Sequence, residues 1–288
     1  MDMKAITWDN FNSKTWKLHK KTVRLSYARM MIAGSFFSGA LDYYSKDVQN
    51  ILMIGLGGGV INNFFSTMDE VNVFDVLLID VSYNELRPLM APVEAFLADD
   101  EIAQMEKLNL TAVDNDPVMK TIAEKWYEFE ASPKQRIIVD DGLRYIREAN
   151  RRGEVFDVLL IDVSYNELRP LMAPVEAFLA DDEIAQMEKV LKKDGAVIVN
   201  IVTRHENMDK ADHVHFAYSR HFPSCYFMQF AKYNKMLFCS KKEKNSWLDN
   251  RDELYNRFEM IDKKLEFNLF EESNVKDQEK TKDQTNKS

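Results

Sequence analysis

Two cysteines in 288 residues, Cys225 and Cys239, are too few for a disulfide-built scaffold and too far apart for a CxxC metal or redox pair. No uninterrupted apolar stretch approaches the roughly 18 to 20 residues that cross a bilayer as a helix, so no membrane partner is expected. The opening residues, MDMKAITWDNFNSK, are polar and lack the apolar core of a signal peptide. Basic excess is missing too: 38 Lys and Arg face 47 Asp and Glu, a formal net charge of −9. A nucleic-acid binder usually carries the opposite balance, so no nucleic-acid partner is expected. The five histidines do not cluster as metal ligands, and no GxxxxGK[ST] segment is present to cradle a triphosphate. No Ser-His-Asp or Cys-His order stands out either. These absences set the expectation of a chain working in a reducing, cytoplasmic location.

What is present is unusual. Val73 through Lys107 (VFDVLLIDVSYNELRPLMAPVEAFLADDEIAQMEK) recurs letter for letter as Val155 through Lys189, 35 residues at an offset of 82. Solenoid repeats come in series and drift; this is one pair without drift. Identical strand-forming segments compete for one place in a fold, because local preference no longer selects one pairing. The second copy follows the acid-bearing segment near Asp141 and precedes Val190-Leu191-Lys192, so it is expected to take the native place. The first copy is read as an insertion. The chain then divides into an N-terminal arm (1–26), one α/β domain (27–270, with 73–107 inserted) and a charged tail (271–288). The tail's one apolar core-former is Val275, and it is expected to be disordered.

Apolar spacing predicts a helix over Tyr27–Tyr44, a buried strand at Ile51–Ile54, a glycine loop at Gly55–Gly59 and a helix from Val60 to Met68. Leu108–Val113 reads as a strand, followed by a helix that Asp116 caps and Pro117 opens. Arg136–Val139 and Phe156–Ile161 read as strands, with a short helix, Asp141–Ala149, between them. Pro174–Lys192 reads as a helix stopped at Asp194-Gly195. Ala196–Val202 is a strand and Met208–His221 a helix. Ser224–Phe230 and Lys235–Ser240 read as a closing strand pair, and Trp247–Phe270 as an amphipathic helix. Strands alternating with helices predict an α/β, Rossmann-like sheet, mostly parallel, with an antiparallel C-terminal pair and helices on both faces. Ligands in such sheets bind beyond the carboxyl ends of the strands.

The chemistry-bearing residues fall there. Gly55, Gly57 and Gly59 follow a buried strand and open a helix, where glycines allow a tight turn and close backbone approach. Asp114 ends the next strand, where an ionised carboxylate can accept both hydroxyls of a ribose. Such an acid normally lies about 20 residues after the glycine loop. From Gly59 to Asp114 the distance is 55 residues, and it becomes 20 once the 35-residue copy is removed. Asp141-Gly142 follows a third strand, where a carboxylate can accept from an adenine amino group. Asp162 ends a fourth strand, where it can position or deprotonate an amine; in the first copy Asp80 and Tyr83 match Asp162 and Tyr165. Asn200 ends a fifth strand facing the same region.

Seven segments carry a family resemblance: RMMIAG (29–34), ILMIGLGGG (51–59), LTAVDNDP (110–117), VDDGLRYI (139–146), FDVLLIDV (156–163), GAVIVNIVTR (195–204) and NKMLFC (234–239). Through them the chain resembles the class I methyltransferases of the spermidine-synthase-like branch, which use S-adenosylmethionine (SAM). The resemblance implies SAM as cofactor, lined by Gly55, Gly57 and Gly59, its ribose held by Asp114 and its adenine met by Asp141 and Gly142. It implies Asp162 as the amine-facing acid, a protein amine as acceptor, elongation factor 1-alpha among the candidates, and leaves a homodimer open. Spermidine synthases themselves carry GGGDGG and DSSDP, whereas this chain has Gly59-Val60-Ile61 and Asp162-Val163-Ser164-Tyr165. Both extra acids are missing, which argues against aminopropyl transfer to a polyamine. A catalytically inactive interaction protein is the second alternative.

Overall fold

The computed structural model describes residues 18–68, 108–229, 234–242 and 250–269. The arm before residue 18, the first repeat copy with its Asp80 and Tyr83, and the tail 271–288 lie outside the described residues. Among the described residues, eight strands make one sheet: β1 (Gln49–Ile54), β2 (Leu108–Asp114), β3 (Gln135–Val139), β4 (Phe156–Ile161), β5 (Leu171–Ala173), β6 (Leu191–Thr203), β7 (Ser224–Gln229) and β8 (Asn234–Ser240). Their order is β3-β2-β1-β4-β6-β8-β7, with β5 on the end of β6. The pairings among β3, β2, β1, β4 and β6 are parallel; β8 runs antiparallel to β6 and β7. From β1 the chain builds outward to β2 and β3, then returns to lay β4 on the other side of β1. A ligand crevice forms at such a reversal.

The strands are apolar on both faces because both faces are covered. Side chains alternate across a strand, so Ile51 and Met53 enter one core and Leu52 and Ile54 the other. Val158 and Leu160 divide from Leu159 and Ile161 in the same way. The first core is roofed by α1 (Ser26–Phe37), α2 (Val60–Ser66) and α7 (Arg251–Leu265), through Met31, Phe65 and Ile261. Ala123 of α3 (Pro117–Trp126) joins the same core. The second core is roofed by α4 (Gly142–Arg151), α5 (Asp181–Lys189) and α6 (Lys210–Ser219), through Ile146, Met187 and Tyr218. Asp116 caps α3 as expected, accepting from the Val118 N–H at 2.8 Å with Pro117 in the first turn.

Two expectations need correction. The helix expected over Pro174–Lys192 begins only at Asp181, after a short 3₁₀ turn at Glu176–Leu179, and ends at Lys189. Asp194-Gly195 does not stop it; both residues lie inside β6. The turn chemistry is still expressed, as a bulge. Phe156 pairs with Leu191 and Val158 with Ala196, so the extra β6 residues loop out between those pairs. Lys192 is tied there to Asp157 at 2.8 Å, and Asp157 also accepts the Asn50 N–H at 2.7 Å. The second correction concerns the cysteines. Cys225 and Cys239 stand opposite each other in the β7–β8 register and are joined by a disulfide, which the expectation of a reducing location did not include.

The second repeat copy does occupy the native place: Val155–Lys189 supplies β4, β5, the 3₁₀ turn and α5. No helix among the described residues is long and apolar enough to cross a membrane.

Candidate active site

The site is assembled where the parallel ladder runs out. Each strand hands one further hydrogen bond to its neighbour's loop. Gly55 N–H donates to Val113 O at 2.8 Å, Asp162 N–H to Ile54 O at 2.9 Å and Asp140 N–H to Asp114 O at 3.0 Å. The starts of four loops are thereby pinned side by side along one edge.

Gly55 has φ +90°, and a Cβ there would overlap the carbonyl oxygen of Asp162, so only glycine lets the two loops approach this closely. Gly57 has φ +53° and nothing within 4 Å of where its Cβ would stand, leaving its backbone open to the cleft. Gly59, φ 78°, turns the chain into α2. Tyr127 flanks the loop: a Cβ on Gly58 would meet its ring at 2.6 Å.

The acids divide by job. Asp114 accepts the Leu56 N–H at 2.8 Å on one oxygen and the Asp116 N–H at 2.9 Å on the other. Each oxygen keeps a lone pair, so the carboxylate can still receive a diol. Asp141 is the N-cap of α4, accepting the Arg144 N–H at 2.8 Å. Asp140 accepts the Asp141 N–H at 2.6 Å and the Arg144 Nε–H at 2.6 Å. A Cβ on Gly142 would overlap Ile54 Cγ2, so that glycine brings the start of α4 against the end of β1.

Asp162 follows β4 directly and is half-buried. Burial pushes its carboxyl above the ordinary range, and hydrogen bonds from Asn200 and Tyr27 pull it part of the way back. Asn200 Nδ2 donates to Asp162 Oδ1 at 2.9 Å. The Tyr27 hydroxyl donates to the same carboxylate, and its own pKa is driven well above the usual phenol range by burial and then by the charge of Asp162. A carboxylate with two donors aimed at it is held in one orientation, and its raised affinity for a proton suits it to accept from an amine.

Gly55, Gly57, Gly59, Asp114 and Asp162 thus converge with the start of α4, while Asp141 has one oxygen committed to its helix. Tyr27 was legible only as the start of a helix. Its signal was position: an aromatic hydroxyl just before RMMIAG, on the helix that packs beside β6.

No family model matches the chain. Among curated proteins, the eEF1A lysine and N-terminal methyltransferase homolog of Drosophila pseudoobscura pseudoobscura is 24% identical over 217 residues, covering 74% of this chain and 27% of that protein. The human eEF1A lysine and N-terminal methyltransferase is 29% identical over 135 residues, 45% of this chain and 19% of that protein. The polyamine aminopropyltransferase of Vibrio vulnificus is 23% identical over 180 residues, 62% of this chain and 44% of that protein. The chain therefore spans about a quarter of the length of the eEF1A relatives it matches. Human methyltransferase-like protein 13, solved in complex with SAH, superposes with a TM-score of 0.61 at 21% identity, over 84% of this chain and 93% of that one. A probable spermidine synthase from Corynebacterium glutamicum follows at 0.55 and 12%, over 85% and 79%. Both solved structures superpose on most of the chain, which therefore shares the Rossmann-like fold of these enzymes.

Proposed function

We propose that the chain is a SAM-dependent methyltransferase acting on an amine of a protein, with elongation factor 1-alpha the first acceptor to test. The observation that carries this reading is the half-buried carboxylate of Asp162, held by Tyr27 and Asn200 beside a glycine loop latched to Asp114. The sequence likeness to eEF1A methyltransferases supports the acceptor class. The residues present fit the cofactor. The open backbone at Gly57 suits its amino-acid end, Asp114 its ribose diol, and Asp141 with Gly142 its adenine end.

SAM supplies the electrophilic methyl group when bound. The chain's own residues do the positioning. Asp162 accepts an N–H of the incoming amine, orients its lone pair and offsets the positive charge that grows on nitrogen during transfer. Tyr27 and Asn200 keep that carboxylate from turning away. Its raised proton affinity makes it a better acceptor for the amine's proton than an exposed carboxylate would be. With that acceptor the proposed reaction would run in the cytoplasm, beside the translation machinery.

Likeness to polyamine aminopropyltransferases supplies the alternative. Against it, Val163-Ser164-Tyr165 stands where spermidine synthases carry their second acid, and Tyr165 is engaged elsewhere, its N–H on Met172 O at 2.9 Å and its hydroxyl accepting from Glu176 N–H at 3.1 Å. The test is transfer from labelled SAM to purified elongation factor 1-alpha, run beside decarboxylated SAM with putrescine. Label on a protein amine supports the proposal. Aminopropyl transfer would replace it with the alternative. SAM binding without transfer to either acceptor, or no binding, would leave an interaction protein.

A further inference from the structure

We propose that Asn200 is a second amine-holding residue, its side-chain oxygen accepting an N–H of the acceptor amine beside Asp162. The inference rests on the amine-methyltransferase reading and goes one step further, to what the site selects. Asn200 lies in β6, one residue past the pairing of Val199 with Ile161, and so stands in the same row as Asp162 on the adjoining strand. It is 5% exposed. Around it β6 is apolar, with Val197, Ile198, Val199 and Ile201 all buried. A β-branched aliphatic residue would suit such a strand better, so an amide here needs a reason.

Holding Asp162 is half of that reason. An ionised carboxylate only accepts, so the Asn200 amide must turn its NH₂ toward Asp162. The 2.9 Å bond from Nδ2 to Oδ1 reflects this. The planar amide then has its oxygen fixed as well, and that oxygen is buried with no donor among the described residues. A buried carbonyl without a donor is costly. Donation to Asp162 alone could be made by a group with no such oxygen. What remains is a pair of acceptors, Asp162 and Asn200 Oδ1, anchored on neighbouring strands at the cleft.

A pair of acceptors selects a group with at least two N–H bonds. A primary amine qualifies: one N–H to each acceptor leaves its lone pair free for the methyl group. A neutral dimethylated amine has no N–H to give. Asn200 should therefore matter for an unmethylated acceptor and be nearly silent for a dimethylated one.

The experiment uses the full chain and its Asn200→Leu variant, which keeps a buried apolar shape on β6. Initial rates are measured on elongation factor 1-alpha with its amines free and after reductive dimethylation. SAM affinity and melting temperature are followed in parallel. The expected result is a fall in kcat/KM for the free amine at least about tenfold larger than for the dimethylated one, with SAM affinity unchanged. Loss of the bond to Asp162 shifts the acid limb of both pH profiles alike, so it cancels in the ratio. Equal falls for both acceptors, or no fall, would overturn the inference while leaving the methyltransferase reading intact. Should the wild type methylate neither acceptor, n-butylammonium and tetramethylammonium are titrated into the SAH-bound protein. Preference for n-butylammonium that shrinks in Asn200→Leu supports the inference without the protein substrate; no preference in the wild type, or an unchanged one in the variant, defeats it.

Discussion

The carboxylate of Asp114 holds the backbone N–H of Leu56 at 2.8 Å, so the acid expected to receive a ribose also fastens the glycine loop in place. The proposed ribose contact and the loop geometry would therefore share one residue. Asp114→Ala should weaken SAM binding by ~10- to 100-fold, the scale of a charge-assisted bond lost with its pre-organisation. It should also lower the melting temperature. Calorimetric titration and thermal melts check both; lost affinity with unchanged stability would separate the two roles.

Gly55 and Gly57 both have positive φ but face different surroundings. Gly55→Ala would drive a Cβ into the backbone of Asp162 and should cost about 3 kcal/mol or more. Gly57→Ala meets open space and should cost only about 1 kcal/mol, with its main effect on SAM affinity. Denaturant unfolding of the two variants side by side measures the contrast.

Tyr27→Phe removes a donor that favours the ionised form of Asp162. The carboxyl should then rise further. Turnover that depends on the ionised acid is lost as pH falls through that value, so the acid limb of the pH–rate profile should move to higher pH. The deficit, about tenfold near neutrality, should shrink as pH is raised. A uniform loss at every pH would show that Tyr27 acts otherwise.

Asp162→Asn should separate activity from stability. The folded carboxyl titrates above its unfolded value, so ionising it costs stability as pH rises through the folded value. Near neutrality the variant should melt a few degrees above the wild type, and the gap should close as the solution is acidified. Its turnover should fall far more than its SAM affinity.

Ser66 and Thr67 at the end of α2 and Leu108 at the start of β2 line one cavity of about 400 Å³, so the described chain breaks off and resumes beside the same cavity. Deleting residues 73–107 should preserve cooperative unfolding and SAM affinity within about twofold. Loss of the melting transition in the shortened chain would mean that the inserted copy is needed for the fold.

Sequence alone made the sheet and the cleft edge legible wherever period and punctuation agree: Ile51–Gly59, Leu108–Pro117, Phe156–Asp162. It misjudged Asp194-Gly195 because a turn pair reads as a helix stop locally, whereas pairing on both sides of β6 absorbs it as a bulge. Asp141 was legible as a candidate adenine contact, and its capping bond to Arg144 is a further role that emerges only with the helix in view. Tyr27 and Asn200 were the hardest to read. They lie 135 and 38 residues from Asp162 along the chain, and no periodicity reports on a contact made by three elements meeting at one point.

The strand order has a bearing on inheritance as well as on shape. α5 ends one residue before β6, whereas the first copy ends at Lys107, directly against Leu108 of β2. β2 lies three strand positions from β6, about 14 Å at the usual spacing, and consecutive Cα atoms span only about 3.8 Å. Of two segments with identical chemistry, only the one whose tail leads into β6 can fill the slot while β2 stays paired. The second copy is therefore the one that brings Asp162 beside Gly55 and Asn200. Tether length here acts as a second address, written in the order of segments along the chain.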